Sequence, residues 1–275
     1  MILRNFLISR TQWWHVTMGD GILGFKFERS QHDEGDVAIF TICGHKTLNL
    51  IGAETVKRCA DGIGETASDP DIRCAVLQGV SNQAFVGGAN LKELQALEPH
   101  NAAGFVGGIH ALCSAIRDYP VPVIARIAGY CLGGGLEIAA ACDFRICDST
   151  AVFGMPEVKI GVPSVVEAAL LPGLIGWGKT RELVFRGNLI DAAEAGRIGL
   201  VETVVGDGEL DDAVADAVHD ILEAGPNAVR LQKELCRQWE QLDLGAAIEA
   251  GLTSFSRAYE TDEPQRYCQR FFDRK

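Results

Sequence analysis

Ala128-Gly129-Tyr130-Cys131-Leu132-Gly133-Gly134-Gly135-Leu136-Glu137-Ile138-Ala139-Ala140-Ala141-Cys142-Asp143 is the stretch on which the fold turns. Just upstream, Val121–Ala128 is apolar apart from Arg126, which predicts a strand buried on both faces. Downstream, Leu136–Ala141 is small and apolar and predicts a buried helix. The three glycines between them form a turn whose backbone can approach a ligand closely. Amides at a helix N-terminus are unpaired and carry partial positive charge, so they suit an anion or a developing oxyanion. On spacing alone, tight helix–strand packing explains the glycines equally well. A dinucleotide fingerprint would need glycine three positions after Gly135, where Ile138 stands.

Working outward, Val37–Cys43 is a short β-rich run. An amphipathic helix follows, with apolar Ala53, Val56, Cys59, Ala60 and Ile63, and Asp69-Pro70-Asp71 breaks it. Cys74–Leu77 is a second strand, so the order strand–helix–strand predicts a parallel pair with a crossover. Asn101–Asp118 is expected to be helical, Phe144–Cys147 and Ala151–Phe153 to be short strands. From Ser164 the character turns helical, with a helix at Ala192–Gly199, a strand at Leu200–Val205 and amphipathic helices from Asp207 onward. The fold class is therefore α/β with a helical tail. Three regions are expected: an N-terminal extension at 1–20, an α/β core carrying the active site at 21–205, and a helical region at 206–275. Met1–Thr17 holds two arginines and no acid, and lacks the long apolar stretch of a secretory signal. It reads as a loose tail or as sequence upstream of a true start at Met18.

The 275 residues, 47% of them hydrophobic, suffice for one large core. A net charge of −12 opposes nonspecific nucleic-acid binding. No apolar run approaches the roughly 20 residues of a membrane span. The nine cysteines are odd in number and lack a Cys-x-x-Cys motif. Buried, reduced thiols are expected, and with them a reducing compartment: the cytoplasm, with the mitochondrial matrix as second choice.

Two more segments bear on chemistry. Phe85-Val86-Gly87-Gly88-Ala89-Asn90-Leu91-Lys92 is glycine-rich and follows a strand, so its amides can also face a ligand. Glu137 lies between Leu136 and Ile138, and Glu157 follows Pro156 in Phe153-Gly154-Met155-Pro156-Glu157-Val158. A glutamate in such surroundings is desolvated, which moves its pKa toward the range useful for acid/base work. Taken singly, each reads more readily as a surface or paired carboxylate.

Ala128–Asp143, followed by Phe153-Gly154-Met155-Pro156-Glu157-Val158-Lys159-Ile160-Gly161, resembles the signature of the enoyl-CoA hydratase/isomerase (crotonase) family. The resemblance runs from about Ala38 to the C-terminus and includes Ala195–Val201 and the terminal Phe255, Asp262-Glu263 and Phe271–Lys275. It implies a crotonase-like spiral of β-β-α turns and a C-terminal helical region that mediates trimer contacts, giving a homotrimer or homohexamer. It implies that the backbone N–H groups of Ala89 and Gly134 form an oxyanion hole for a thioester, a donor of this kind being worth roughly 3–4 kcal/mol. Glu137 then activates water and Glu157 protonates the α-carbon. Lys46 and Lys92 match CoA-binding lysines. Ser164, Val165 and Val166 replace a glycine-rich stretch that borders the acyl pocket, so they should reshape it, and Glu167 beside them is expected to be structural. Asn90 stands where many relatives carry aspartate. The implied substrate is an acyl-CoA thioester, and no metal or separate cofactor is expected. The implied activity is reversible syn hydration of a 2-enoyl-CoA. A Δ3,Δ2-enoyl-CoA isomerase working through Glu157 alone, another acyl-CoA reaction of the superfamily, and a catalytically silent CoA-binding scaffold are the alternatives.

Overall fold

The computed structural model describes residues 24–273, so the expected extension at 1–20 lies outside the described residues. The chain opens with strands β1 (Gly24–Ser30) and β2 (Asp36–Cys43), helix α1 (Ala53–Thr66), strands β3 (Ile72–Gly79) and β4 (Ala84–Val86), and helices α2 (Leu91–Gln95) and α3 (Ala102–Arg117). It continues through β5 (Val123–Ile127), β6 (Tyr130–Leu132), α4 (Gly134–Ala141), β7 (Phe144–Asp148) and β8 (Val152–Gly154). Two short 3-10 turns, Glu157–Ile160 and Val166–Leu170, lead into α5 (Leu171–Arg186). Then come β9 (Leu189–Asp191), α6 (Ala192–Arg197), β10 (Thr203–Val205), and helices α7 (Leu210–Glu223), α8 (Pro226–Trp239), α9 (Leu244–Ala258) and α10 (Glu263–Asp273).

Two sheets result, ordered β1-β2-β3-β5-β7-β10 and β4-β6-β8-β9. Successive strands alternate between them: β3 then β4, β5 then β6, β7 then β8. Each passage is one turn of a spiral closed by a helix or a loop. Within the first sheet only β1 runs antiparallel, and within the second only β9. The β2/β3 pair is parallel with α1 as its crossover, as expected.

Side-chain alternation divides the core. Ala75, Leu77, Val123 and Ala125 face α1 and α3, and the same cluster reaches α4. Cys74, Val76, Ile124 and Ile146 face the other way and are covered by Leu210, Val214, Val218 and Leu222 of α7. Both faces of β3 and β5 are thus dry, which is why these strands read as continuous apolar runs. Arg126, the exception in β5, is buried and pairs with Asp211 of α7, Nη2 to Oδ1 at 2.6 Å. A buried guanidinium needs such a partner.

Several elements depart from the sequence reading. β1 was not anticipated, and β4, β6 and β9, three residues each, fall in segments read as loop or helix. Three residues carry no measurable period, so only their spatial pairing reveals them. Leu200–Val205 contracts to β10, and all nine cysteines are free thiols.

Helix α4 packs closely where it crosses β4. A Cβ built on Gly135 would stand 2.2 Å from the backbone oxygen of Val86. Backbone cannot yield as a flexible side chain can. Gly135→Ala is therefore expected to destabilise the fold by about 2 kcal/mol or more, at the overpacking end of the usual range. Denaturant unfolding checks this; an unchanged midpoint would show that α4 can move away from β4 freely.

Candidate active site

Glu137 lies on α4, all eight of whose residues are buried. Its side chain leaves the residue 3% exposed. The backbone N–H of Ala168 donates to its Oε1 at 3.3 Å. Burial, then the negative charge of Glu157, pushes its pKa up to about 8, against the opposing hydrogen bond from Ala168. Few glutamates can hold a proton at neutral pH, and this one does so because water is excluded from it.

Glu157 opens the 3-10 turn that follows β8. It is half-buried, and burial raises its pKa as well, though less far. Its carboxylate lies against the glycine triplet: a Cβ on Gly133 would stand 2.5 Å from Glu157 Oε1. Gly133 has φ of +54°, a conformation that favours glycine, and a side chain there would displace the Glu157 carboxylate. On the other side, Ser164 Oγ donates to Glu157 Oε2 at 2.8 Å. Ser164 was read from sequence as shaping the acyl pocket; the structure gives it this bond to the carboxylate, which the sequence alone did not suggest.

The two amides expected to bind a thioester oxygen come together around Ile51. Ile51 bridges Ala89, with Ile51 N–H donating to Gly88 O at 3.0 Å and Asn90 N–H to Ile51 O at 2.8 Å. That register leaves the Ala89 N–H without an acceptor among the described residues. Ile51 Cδ1 stands 3.4 Å from a Cβ built on Gly134. Gly134 is the first residue of α4, so its N–H has no acceptor within the helix. A Cβ there would also lie 3.9 Å from Glu137 Oε2.

Lys46 and Lys92 are both exposed, and neither forms an ion pair among the described residues. Their loops touch: Gly87 N–H donates to Leu48 O at 2.8 Å. Asn90 caps α2, its Oδ1 accepting from Lys92 N–H. Val165 is partly exposed at the start of the second 3-10 turn, and Val166 packs against the core with φ of 40°. Glu167 is buried, and its Oε1 lies 2.7 Å from His110 Nδ1 of α3. Sequence reading passed over His110, which carries no motif and meets its partner only in space. Burial, then the charges of Glu167 and Glu137, holds the nearby Cys113 thiol well above its usual range.

The family model for enoyl-CoA hydratase/isomerase matches residues 32–275. The chain is similar to the short-chain-enoyl-CoA hydratase of Clostridium acetobutylicum, 32% identical over 243 residues that cover 88% of this chain and 93% of that protein. It is similar to the crotonyl-CoA hydratase of Syntrophomonas wolfei, also 32% identical, over 88% of this chain and 94% of that protein. Among solved structures, enoyl-CoA hydratase from Bacillus anthracis superposes with a TM-score of 0.85 at 28% identity, over 92% of this chain and 97% of that one. The fold is therefore the crotonase spiral, and the chain belongs to the enoyl-CoA hydratase/isomerase family.

The raised pKa of Glu137 makes a stability prediction. The folded state holds this proton more tightly than the unfolded chain does. The contribution is fully present below the ordinary glutamate value of 4.5 and is lost as pH rises through about 8. Glu137→Gln removes the titration, so its Tm relative to wild type should climb across that window and level off above it. A constant difference in Tm across the window would mean that Glu137 titrates normally in the folded protein.

Proposed function

We propose that this protein hydrates 2-enoyl-CoA thioesters reversibly, giving 3-hydroxyacyl-CoA by syn addition. The observation that carries the reading is the pair of desolvated carboxyls, Glu137 and Glu157, flanking one glycine turn whose Gly134 amide is free. The similar hydratases support the same reaction.

In the hydration direction, Glu137 as carboxylate takes a proton from water. The hydroxyl oxygen bonds to the β-carbon, and the π electrons move to the thioester oxygen. The amides of Ala89 and Gly134 hold that oxyanion. Glu157 then delivers its proton to the α-carbon. One proton has left Glu157 and one has reached Glu137, so the pair as a whole is unchanged. Burial and the charge of Glu157 favour the protonated Glu137 of this end state. No metal or separate cofactor enters these steps, because coenzyme A arrives as part of the substrate.

Lys46 and Lys92 serve as phosphate contacts for the CoA portion, on the rim formed by the loops that carry Leu48 and Ala89. Val165 and Val166 border the acyl end. The active form is a homotrimer or homohexamer in the cytoplasm. The exposed stripe Leu244, Ile248, Leu252 and Phe255 on α9 supports oligomerisation through the C-terminal helices.

Incubation with 2-enoyl-CoA in ¹⁸O-labelled water should place ¹⁸O at the β-carbon. Glu137→Gln and Glu157→Gln should each lower kcat by about 10²-fold or more. Rapid conversion of a 3-enoyl-CoA with no added water, insensitive to Glu137→Gln, would establish isomerisation instead.

Lys92→Ala should raise KM for CoA esters more than it lowers kcat, because a phosphate contact is alike in ground and transition states. The salt dependence of KM should also weaken. An unchanged KM at low salt would return Lys92 to the solvated surface.

A further inference from the structure

The turn at 165–168 has features that the proposed chemistry leaves unused. Val166 adopts φ of 40°, a left-handed conformation that a β-branched residue avoids. Such a conformation persists only where its surroundings enforce it. Glu167, 7% exposed, has one carboxylate oxygen on His110 and the other, Oε2, enclosed with no hydrogen-bond partner among the described residues beyond the weak donor thiol of nearby Cys113. Burying an ionisable group so incompletely matched is costly. The His110 side chain is 61% exposed, so the pair spans from solvent to the edge of the Glu137 pocket.

The segment also has a task, since the Ala168 N–H donates to Glu137 Oε1. A second backbone hydrogen bond, at Val165, acts on the same carboxyl. The geometry points to Glu167 and His110 as a positioning pair: a latch between α3 and the strained turn that keeps its amides on the Glu137 carboxyl. A carboxylate only accepts, so Nδ1 of His110 carries the hydrogen of the latch. Through the amides the latch favours the ionised form of Glu137. The charge of Glu167 acts in the opposite sense, raising Glu137 together with Glu157.

The groups that bear on Glu137 are thus Glu157 from the turn after β8, Glu167 from the turn above it, and Cys113 from α3, with His110 acting through Glu167. Opposite effects of the two members follow. Glu167→Gln keeps an acceptor for His110 and removes the charge, so the pKa of Glu137 falls. His110→Ala removes the latch and loosens the amides, so the pKa of Glu137 rises. His110→Asn retains a donor and restores the wild-type value in part.

The inference rests on the proposed role of Glu137, and its test does not depend on turnover. The full chain is labelled with ¹³Cδ-glutamate, and the Glu137 resonance is identified by its loss in Glu137→Gln. Titration should show a shift of about half a unit or more, downward in Glu167→Gln and upward in His110→Ala. Circular dichroism and Tm confirm that each variant is folded. In parallel, His110→Ala should lower kcat for hydration about tenfold or more with KM little changed, since misplacing a reacting group costs rate rather than binding. Shifts in the same direction, or no shift in folded His110→Ala, overturn the latch. If wild-type protein fails to hydrate any 2-enoyl-CoA while the opposed shifts appear, the function reading falls and the latch stands.

Discussion

A single carboxyl group placed in an apolar helix sets the terms for its surroundings. Every residue of α4 is buried, so Glu137 has no route to bulk water along its own helix. The group survives there by holding a proton and by accepting the Ala168 amide. Three unusual backbone positions surround it. Gly135 lets α4 come within contact of Val86 of β4, Gly133 at positive φ makes room for the Glu157 carboxylate, and Val166 bends the turn at 165–168 over the top. Each would be unfavourable in isolation. Together they gather two desolvated carboxyls around one glycine turn.

The legibility of this arrangement in the sequence follows the length and regularity of the pieces. β2, β3, α1, α3 and α4 were readable because their apolar residues recur at the period of a strand or helix, or run without interruption through a doubly covered strand. β4, β6 and β9 were not, because three residues have no period and their pairing is decided by the spiral that stacks them. In the site, Glu137, Glu157 and the glycine triplet were visible as a motif. The link between His110 and Glu167 was not, since it joins residues 57 positions apart that carry no local signal. Ser164 was noticed for its size where relatives of the family have glycine, whereas its hydroxyl turns out to donate to Glu157.

In the proposed reading, the loops that carry Lys46 and Lys92, separate from the turn at 165–168, supply the charge for the CoA end of the substrate. The chain as a whole carries −12, which would repel a polyanion at long range. Screening confines that repulsion to about 8 Å at physiological ionic strength, so local lysines decide the approach. Lys46 precedes Leu48, whose carbonyl accepts from Gly87, and Lys92 follows Ala89, which bridges Ile51. One pair of joined loops thereby presents exposed ammonium groups outward and an unpaired amide inward.

The choice between hydration and double-bond isomerisation turns on why position 137 carries an ionisable group at all. Isomerisation needs one group to remove a proton from one carbon and return it to another, and Glu157 alone can do both. A second carboxyl nine-tenths buried in α4 would then carry only its desolvation penalty, and an apolar residue at that position would pack without it. Hydration, by contrast, handles two protons at once: one leaves water as the other reaches the α-carbon. Two carboxyls whose protonation states are coupled meet that requirement, and here the charge of Glu157 raises Glu137 directly. The coupling lets either carboxyl be the acid while the other is the base, which is what a reversible reaction demands of its two directions. A second carboxyl in α4 thus has a task in a hydratase, which handles two protons, and none in an isomerase that works through Glu157 alone.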